Sequence, residues 1–197
     1  LATEMKDLYR QGLSLGSLAN VYFSLGDAER SISYQERGLA VFREAKDRHF
    51  EAASLQLLCA GYLNLSRPEK AIENCEQELV IARELKEGVL EQGALANLGI
   101  AYSKLGRKDD AIRYLEQSLS ISRELKNRWA EMHTLSNLGY SYLTLKSYDR
   151  AAQYQEQALV ISRELKDRAF EGVCLGALGY VAAALKQYEK AVEYHER

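Results

Sequence analysis

Residue types that interrupt or cross-link chains are scarce in this sequence. It has one proline and three cysteines in 197 residues, and no Gly/Ser-rich linker divides it, so the length allows at most two domains. The cysteines, Cys59, Cys75 and Cys174, are odd in number and lack a second Cys or His at metal-ligand spacing. We therefore expect reduced, structural thiols, with no disulfide framework, no zinc site and no cofactor.

The chain also lacks an excess of charge of either sign. Its 26 Lys and Arg residues nearly balance 28 Asp and Glu residues, and the net charge of -2 offers no field to attract nucleic acid or an anionic membrane. No apolar run approaches the roughly 20 residues that span a bilayer, and residues 1–10 are too polar for the core of a signal peptide. These absences predict a cytoplasmic protein that neither binds nucleic acid nor inserts into a membrane.

What the sequence does contain is a repeat of 40 residues. Aligned without a gap, residues 91–130 and 131–170 are identical at 20 of 40 positions. The same frame gives repeats at about 11–50, 51–90, 91–130 and 131–170, a partial fifth at 171–197, and the end of a preceding one at 1–7. Neither end shows the polar capping repeat of such arrays. We therefore expect 1–197 to be a single array and a fragment of a longer protein.

Each repeat contains two segments with helical periodicity. On the first helix of the third repeat, the predicted core side consists of Leu95, Leu98, Gly99, Tyr102 and Leu105. Gly106 follows this helix, where helix C-termini favour glycine, and Asp109 opens the next. Pro68 falls in the first turn of the second helix of its repeat, where its missing amide hydrogen does no harm. The pattern predicts an all-α fold of antiparallel helix hairpins.

The motif Leu95-x-x-Leu98-Gly99-x-x-Tyr102, followed by Ala111, resembles the tetratricopeptide repeat (TPR). HEAT and armadillo repeats also run near 40 residues, and it is this motif that favours the TPR. The resemblance implies a right-handed α-solenoid whose first helices line a concave groove that binds other proteins. The usual unit is shorter, and its helix-ending proline is replaced here by Arg83, Arg123 and Arg163. This 40-residue form is similar to the repeats of Pins/LGN-type polarity adaptors and of bacterial signalling proteins.

The side of the first helices opposite the core is the candidate groove. The residues predicted to bind a peptide there are Asn20, Gln56, Asn64, Asn97, Ile100, Lys104, His133, Asn137, Tyr140 and Tyr180. Lys104 is the one formal charge on that side, so we expect neither a clamp for a terminal carboxylate nor a track for phosphates.

Two pairs of these residues recur one repeat apart. The amides of Asn97 and Asn137 can donate to and accept from a peptide backbone, and the alternative is that each only faces water. Tyr140 and Tyr180 either anchor apolar ligand side chains or pack against a neighbouring repeat. A further ladder on the second helices is predicted to pack between repeats and consists of Tyr34, Tyr114, Tyr154 and Tyr194.

Catalytic constellations are missing from the sequence. His49, His133 and His195 fall at different repeat positions, without acidic partners at a catalytic or metal-binding spacing. We therefore predict a non-enzymatic scaffold that binds a peptide segment of a partner protein. The alternative is a regulatory or sensor module of a larger signalling protein, in contact with other domains or repeats of that protein.

Overall fold

The computed structural model describes the backbone of residues 2–196 and the side chains of residues 6–196. Over that range the chain forms ten α-helices and no β-strand. The helices are α1 (Ala2–Ser24), α2 (Ala28–Glu44), α3 (Arg48–Asn64), α4 (Pro68–Leu85), α5 (Gly88–Lys104), α6 (Lys108–Glu124), α7 (Arg128–Thr144), α8 (Tyr148–Glu164), α9 (Arg168–Ala184) and α10 (Tyr188–Glu196). Because α3, α5, α7 and α9 begin 40 residues apart, the predicted all-α repeat is confirmed.

Local sequence signals determine where the helices begin. Asp47, Asn127 and Asp167 precede α3, α7 and α9, and each side chain accepts a hydrogen bond from the backbone N–H three residues later. Such N-caps pair one of the backbone donors that a helix start leaves free. Pro68 is the first residue of α4, as predicted, and Asp109 lies in the first turn of α6.

Each turn between these helices passes through one residue with positive φ. Gly106 and Gly26 have φ of 74° and 77°, a conformation that glycine adopts without strain. The other turns place lysine or serine there, with φ between 53° and 60°. At Lys146, for example, the N–H of the next residue donates to the Tyr142 carbonyl at 3.0 Å, which closes the end of α7. The predicted role of Gly106 at a helix C-terminus is thus confirmed.

Most of the predicted core side of the first helices is buried. Leu95 and Leu98 are inaccessible to solvent, and Tyr102 is nearly so. The prediction is wrong for the leucine that follows the first helix in three repeats: Leu25 is 72% exposed, and Leu145 and Leu185 are also exposed, whereas Leu105 is half-buried. These leucines lie at or beyond the helix C-cap, where the chain already turns away from the core.

The expectation of reduced cysteines is wrong for two of the three. Cys59 in α3 and Cys75 in α4 form a disulfide, with their Cα atoms 5.5 Å apart, whereas Cys174 is a buried free thiol. The reason is the register of the hairpin. At the equivalent positions of the hairpin α7/α8, a Cβ added to Gly139 would lie 2.7 Å from the Gln155 side chain. Two cysteines at these facing positions are close enough to bond.

The arginines that replace the family's proline join consecutive repeats. Arg83, Arg123 and Arg163 each bind, through Nε, the glutamate eight residues later, at 2.8–2.9 Å. Glu131 also binds Arg128 of its own helix at 2.7 Å, and the equivalent Glu171 binds Arg168 at 3.0 Å. We call this ion-paired arrangement the arginine clasp.

The chain divides into two compact units, of which the first ends at Leu105 and the second begins at Gly106. In the first unit, α1 pairs with α2 and α3 with α4, and α5 packs against α4 and α3. In the second unit, α7 pairs with α8 and α9 with α10, and α6 packs against α7. The core of the second unit includes Met132, Leu135, Leu138 and Leu178. The single array expected from the sequence stays a prediction.

Candidate functional site

The side of the first helices opposite the core is open to solvent in both units. We call this side of α1, α3 and α5 in the first unit, and of α7 and α9 in the second, the first-helix face. All ten residues predicted to bind a peptide are partly or fully exposed, and their role in binding stays a prediction. The first unit contributes Asn20, Gln56, Asn64, Asn97, Ile100 and Lys104, and the second contributes His133, Asn137, Tyr140 and Tyr180.

Four asparagine amides on this face are available to a ligand. The side chains of Asn20, Asn64, Asn97 and Asn137 hydrogen bond to no other residue whose side chain is described. By contrast, Asn74 on the second helix α4 donates its amide to the Lys70 carbonyl at 2.8 Å. A free amide can donate two hydrogen bonds and accept two. The first-helix face therefore carries unused donors and acceptors in both units.

In the first unit, the face contains a cavity of about 210 Å³ between α1, α2 and α3. Asn20 and Asn64, which the sequence placed on this face, both line it. Sequence reasoning missed other lining residues, among them Phe23, Ile32 and Gln35. Their participation has no signal in the repeat pattern, because the space depends on the small side chains of neighbouring residues rather than on a motif.

In the second unit, an aromatic cluster lies at the start of α7. The ring of His133 is 4.0 Å from that of Trp129 and 4.5 Å from that of Phe170, measured between centroids. Burial against this cluster lowers the pKa of His133, although Asp167 acts in the opposite direction. At neutral pH the imidazole is therefore uncharged. Trp129, 60% exposed, was missed, although a tryptophan one helical turn before His133 is a readable signal.

The tyrosines divide into exposed and stacked sets. Tyr140 and Tyr180 are each 59% exposed, which argues against burial between repeats. Tyrosines of the ladder on the second helices also stack within their own hairpins: Tyr34 stacks on Tyr22 at 5.2 Å, and Tyr154 stacks on Tyr142 at 5.4 Å. The packing of the ladder between repeats stays a prediction, and it is compatible with this stacking, since Tyr154 also lines a cavity with Glu116 and Arg123 of the preceding repeat.

Within residues 6–196, no group of three or more His, Cys, Asp or Glu side chains is arranged to hold a metal ion. None of the described helices has the length and apolar character needed to cross a membrane.

Profiles of one known protein family match most of the chain. A tetratricopeptide repeat profile matches residues 51–124 and 131–197, and a second tetratricopeptide repeat profile matches residues 13–45. The chain belongs to the tetratricopeptide repeat family, as its Leu-Gly-x-x-Tyr motif predicted. This membership defines its class, a repeat scaffold for protein–protein interaction. The likeness to Pins/LGN-type adaptors stays a prediction.

Solved structures share the fold at low sequence identity. BtubC (BKLC) from P. vanneervenii is 23% identical, with a TM-score of 0.84, over 99% of this chain and 84% of that one. A Rap protein complexed with Competence and Sporulation Factor is 16% identical, with a TM-score of 0.82, over 95% and 52%. A signal transduction ATPase with a tetratricopeptide repeat sensor from Pyrococcus horikoshii is 20% identical, with a TM-score of 0.82, over 98% and 29%. No curated protein sequence matches the chain significantly.

Proposed function

We propose that the chain is a non-catalytic scaffold that binds a peptide segment of a partner protein on its first-helix face. The observation that carries this proposal is the set of unused amides. Asn20, Asn64, Asn97 and Asn137 all reach solvent on that face without a described hydrogen-bond partner. Amides of this kind pair with the backbone of a peptide without demanding a particular sequence.

The charge of the face supports a peptide over other ligands. Lys104 is the one formal charge among the ten proposed binding residues. Nucleic acid requires several cations against its phosphates, and a clamp for a terminal carboxylate likewise requires several lysines and arginines close together. A largely neutral, internal peptide segment is the ligand that this surface matches.

A regulatory or sensor module of a larger signalling protein is the second candidate function. It is favoured by the similarity to a Rap protein complexed with Competence and Sporulation Factor and to an ATPase with a tetratricopeptide repeat sensor. The coding sequence on either side of these residues discriminates between the two candidates. A catalytic or DNA-binding domain in the same reading frame supports the module, and further repeats support the scaffold.

A cytoplasmic location was predicted from the absence of a signal-peptide core, and we keep it as a proposal. The Cys59–Cys75 disulfide weighs against it, because such bonds persist mainly in oxidising compartments. Fluorescence microscopy of the tagged protein in its own host, combined with fractionation, decides the question.

The amide hypothesis is tested with peptides selected from a random 12-residue phage library on the immobilised protein. We expect the double variant Asn97→Ala/Asn137→Ala to weaken binding of selected peptides about tenfold or more, at about 1 kcal/mol for each lost hydrogen bond. The control Asn74→Ala removes an amide from a second helix and should leave binding unchanged. If the double variant binds equally well while its circular dichroism spectrum is that of the wild type, the proposed face is wrong.

A further inference from the structure

The cavity in the first unit is lined by uncharged residues. It has a volume of about 210 Å³ and opens between α1 and α3 beside α2. Its principal lining residues are Asn20, Phe23, Ile32, Gln35, Leu57 and Asn64. Phe23 is 60% exposed and Leu57 is half exposed, so both present apolar surface to an incoming group. The volume is that of a single amino-acid side chain rather than of a cofactor.

Gln35 is the unusual member of this lining. It is only 7% exposed, yet its side-chain amide forms no hydrogen bond with any described residue. Neither of its amide atoms is fully buried, and Gln35 lines the cavity, so a ligand there can pair with the amide. Gln35 therefore presents an unpaired hydrogen-bond donor and acceptor at the cavity.

The equivalent glutamine of the second unit shows what is missing. Gln155 donates through Nε2 to the carbonyl of Ser136 at 3.1 Å, and the Ser136 hydroxyl donates to its Oε1 at 3.4 Å. One hundred and twenty residues earlier, three repeats away, Gly16 stands in the place of this serine. Glycine has no hydroxyl, so the carbonyl of Gln35 loses the donor that fixes Gln155.

Small residues on α3 keep the space open. Ala60 and Gly61 line the cavity, whereas Tyr180 and Val181 stand at the equivalent positions of α9. A Cβ at Gly61 would already lie 3.3 Å from Ile32, which shows how closely the wall approaches there. A larger residue at either position would reduce the cavity.

We propose that this cavity, together with Gln35, is a specificity pocket for one uncharged side chain of the partner peptide, with an apolar body and a tip that both donates and accepts. Glutamine and tyrosine have this chemistry. The inference rests on the proposed peptide-binding function and names the side chain that the first unit selects. Asn20 and Asn64, at the same cavity, pair with the backbone of that peptide on either side.

The same chemistry excludes other side chains. Leucine or phenylalanine would leave the Gln35 amide covered and unpaired, which weakens binding roughly tenfold. A carboxylate or an ammonium group would lose its water against a lining that holds no opposite charge. The pocket therefore discriminates against both apolar and charged residues of similar size.

The test uses synthetic peptides derived from the phage selection on the wild-type protein. In the best binder, the recurring glutamine or tyrosine is replaced by leucine or glutamate, and dissociation constants are measured by fluorescence anisotropy. We expect the wild type to prefer the parent peptide over the leucine peptide roughly tenfold and Gln35→Leu to abolish or reverse this preference. Leucine is tolerated at this repeat position, because Leu115 occupies it in the third repeat.

Gln155→Leu is the matched control, since it removes a glutamine that is already paired, and it should keep the wild-type preference. A selection that enriches neither glutamine nor tyrosine overturns the proposal, and so does an unchanged preference in Gln35→Leu. If Asn97→Ala/Asn137→Ala abolishes peptide binding but Gln35→Leu does not change it, the pocket is refuted and the proposed function is still supported. A library that yields no binder counts against both.

Discussion

Glu78 in α4 is a buried carboxyl group without a partner. It is 0% exposed, and neither of its oxygens hydrogen bonds to a described residue. The repeat-equivalent residues are all small, namely Gly38, Ser118 and Ala158. Burial disfavours the charged form, and it raises the pKa of Glu78 from 4.5 to about 8. The folded protein therefore holds this proton at neutral pH, whereas the unfolded chain releases it.

The sign of the effect on stability follows from this difference. Between pH 4.5 and about 8 the folded state binds more protons than the unfolded state, so stability falls as the pH rises through this window. The slope is about 1.4 kcal/mol for each pH unit, which amounts to about 3 kcal/mol at pH 7 and about 5 kcal/mol above pH 8. Below pH 4 the contribution vanishes, because both states are protonated.

Glu78→Gln keeps the shape of the side chain and removes its titration. We expect the variant to match the wild type near pH 4 and to exceed its free energy of unfolding by about 3 kcal/mol at pH 7. Urea denaturation followed by circular dichroism at several pH values measures the difference. Glu73→Gln, an exposed change in the same helix, controls for the loss of one charge. A wild type and a Glu78→Gln variant with parallel pH profiles would refute the reasoning.

Three further predictions concern the disulfide, a turn and a close contact. Reduction of Cys59–Cys75 should lower the free energy of unfolding by about 3 kcal/mol, from the loop entropy of its 16-residue separation. Thiol titration of the unfolded protein should find one free thiol before reduction, and three would contradict the bond. Lys146→Gly should raise the free energy of unfolding by about 1 kcal/mol, because φ is 58° there, and an unchanged urea midpoint would count against this. Gly139→Ala should lower it by about 1–3 kcal/mol, because its Cβ would lie 2.7 Å from Gln155, and thermal denaturation measures the loss.

The helices were predictable because their signals are local and repeated. The first helices recur every 40 residues, Pro68 begins α4, and Gly106 occupies a left-handed turn, each as the sequence indicated. The burial of Leu95 and the partial exposure of Asn97 also follow from winding one helix. The same helical projection wrongly buries Leu145. The helix ends at Thr144, so the rotation of 100° per residue no longer gives the direction of the Leu145 side chain.

The features that were missed depend on which residues face one another across a hairpin. Cys59 and Cys75 looked unrelated at 16 residues apart, although Gly139 and Gln155, at the same repeat positions, are in contact. Aligning the cysteines on the repeat, rather than counting them, would have shown the pair. The cavity beside Gln35 gave no such signal, because it exists where side chains are small, as at Ala60 and Gly61, and no motif marks such positions.

The arginine clasp has a consequence for how such a chain can change in length. Its arginine belongs to one repeat and its glutamate to the next, at the same register each time. If residues 131–170 were copied in tandem, Arg163 would meet the new copy of Glu131, and the copied arginine would meet Glu171. Duplication in whole 40-residue steps thus preserves an arginine–glutamate ion pair at each new repeat boundary. An insertion of any other length would separate the arginine from its glutamate. This ion pair between neighbouring repeats therefore favours growth by complete repeats.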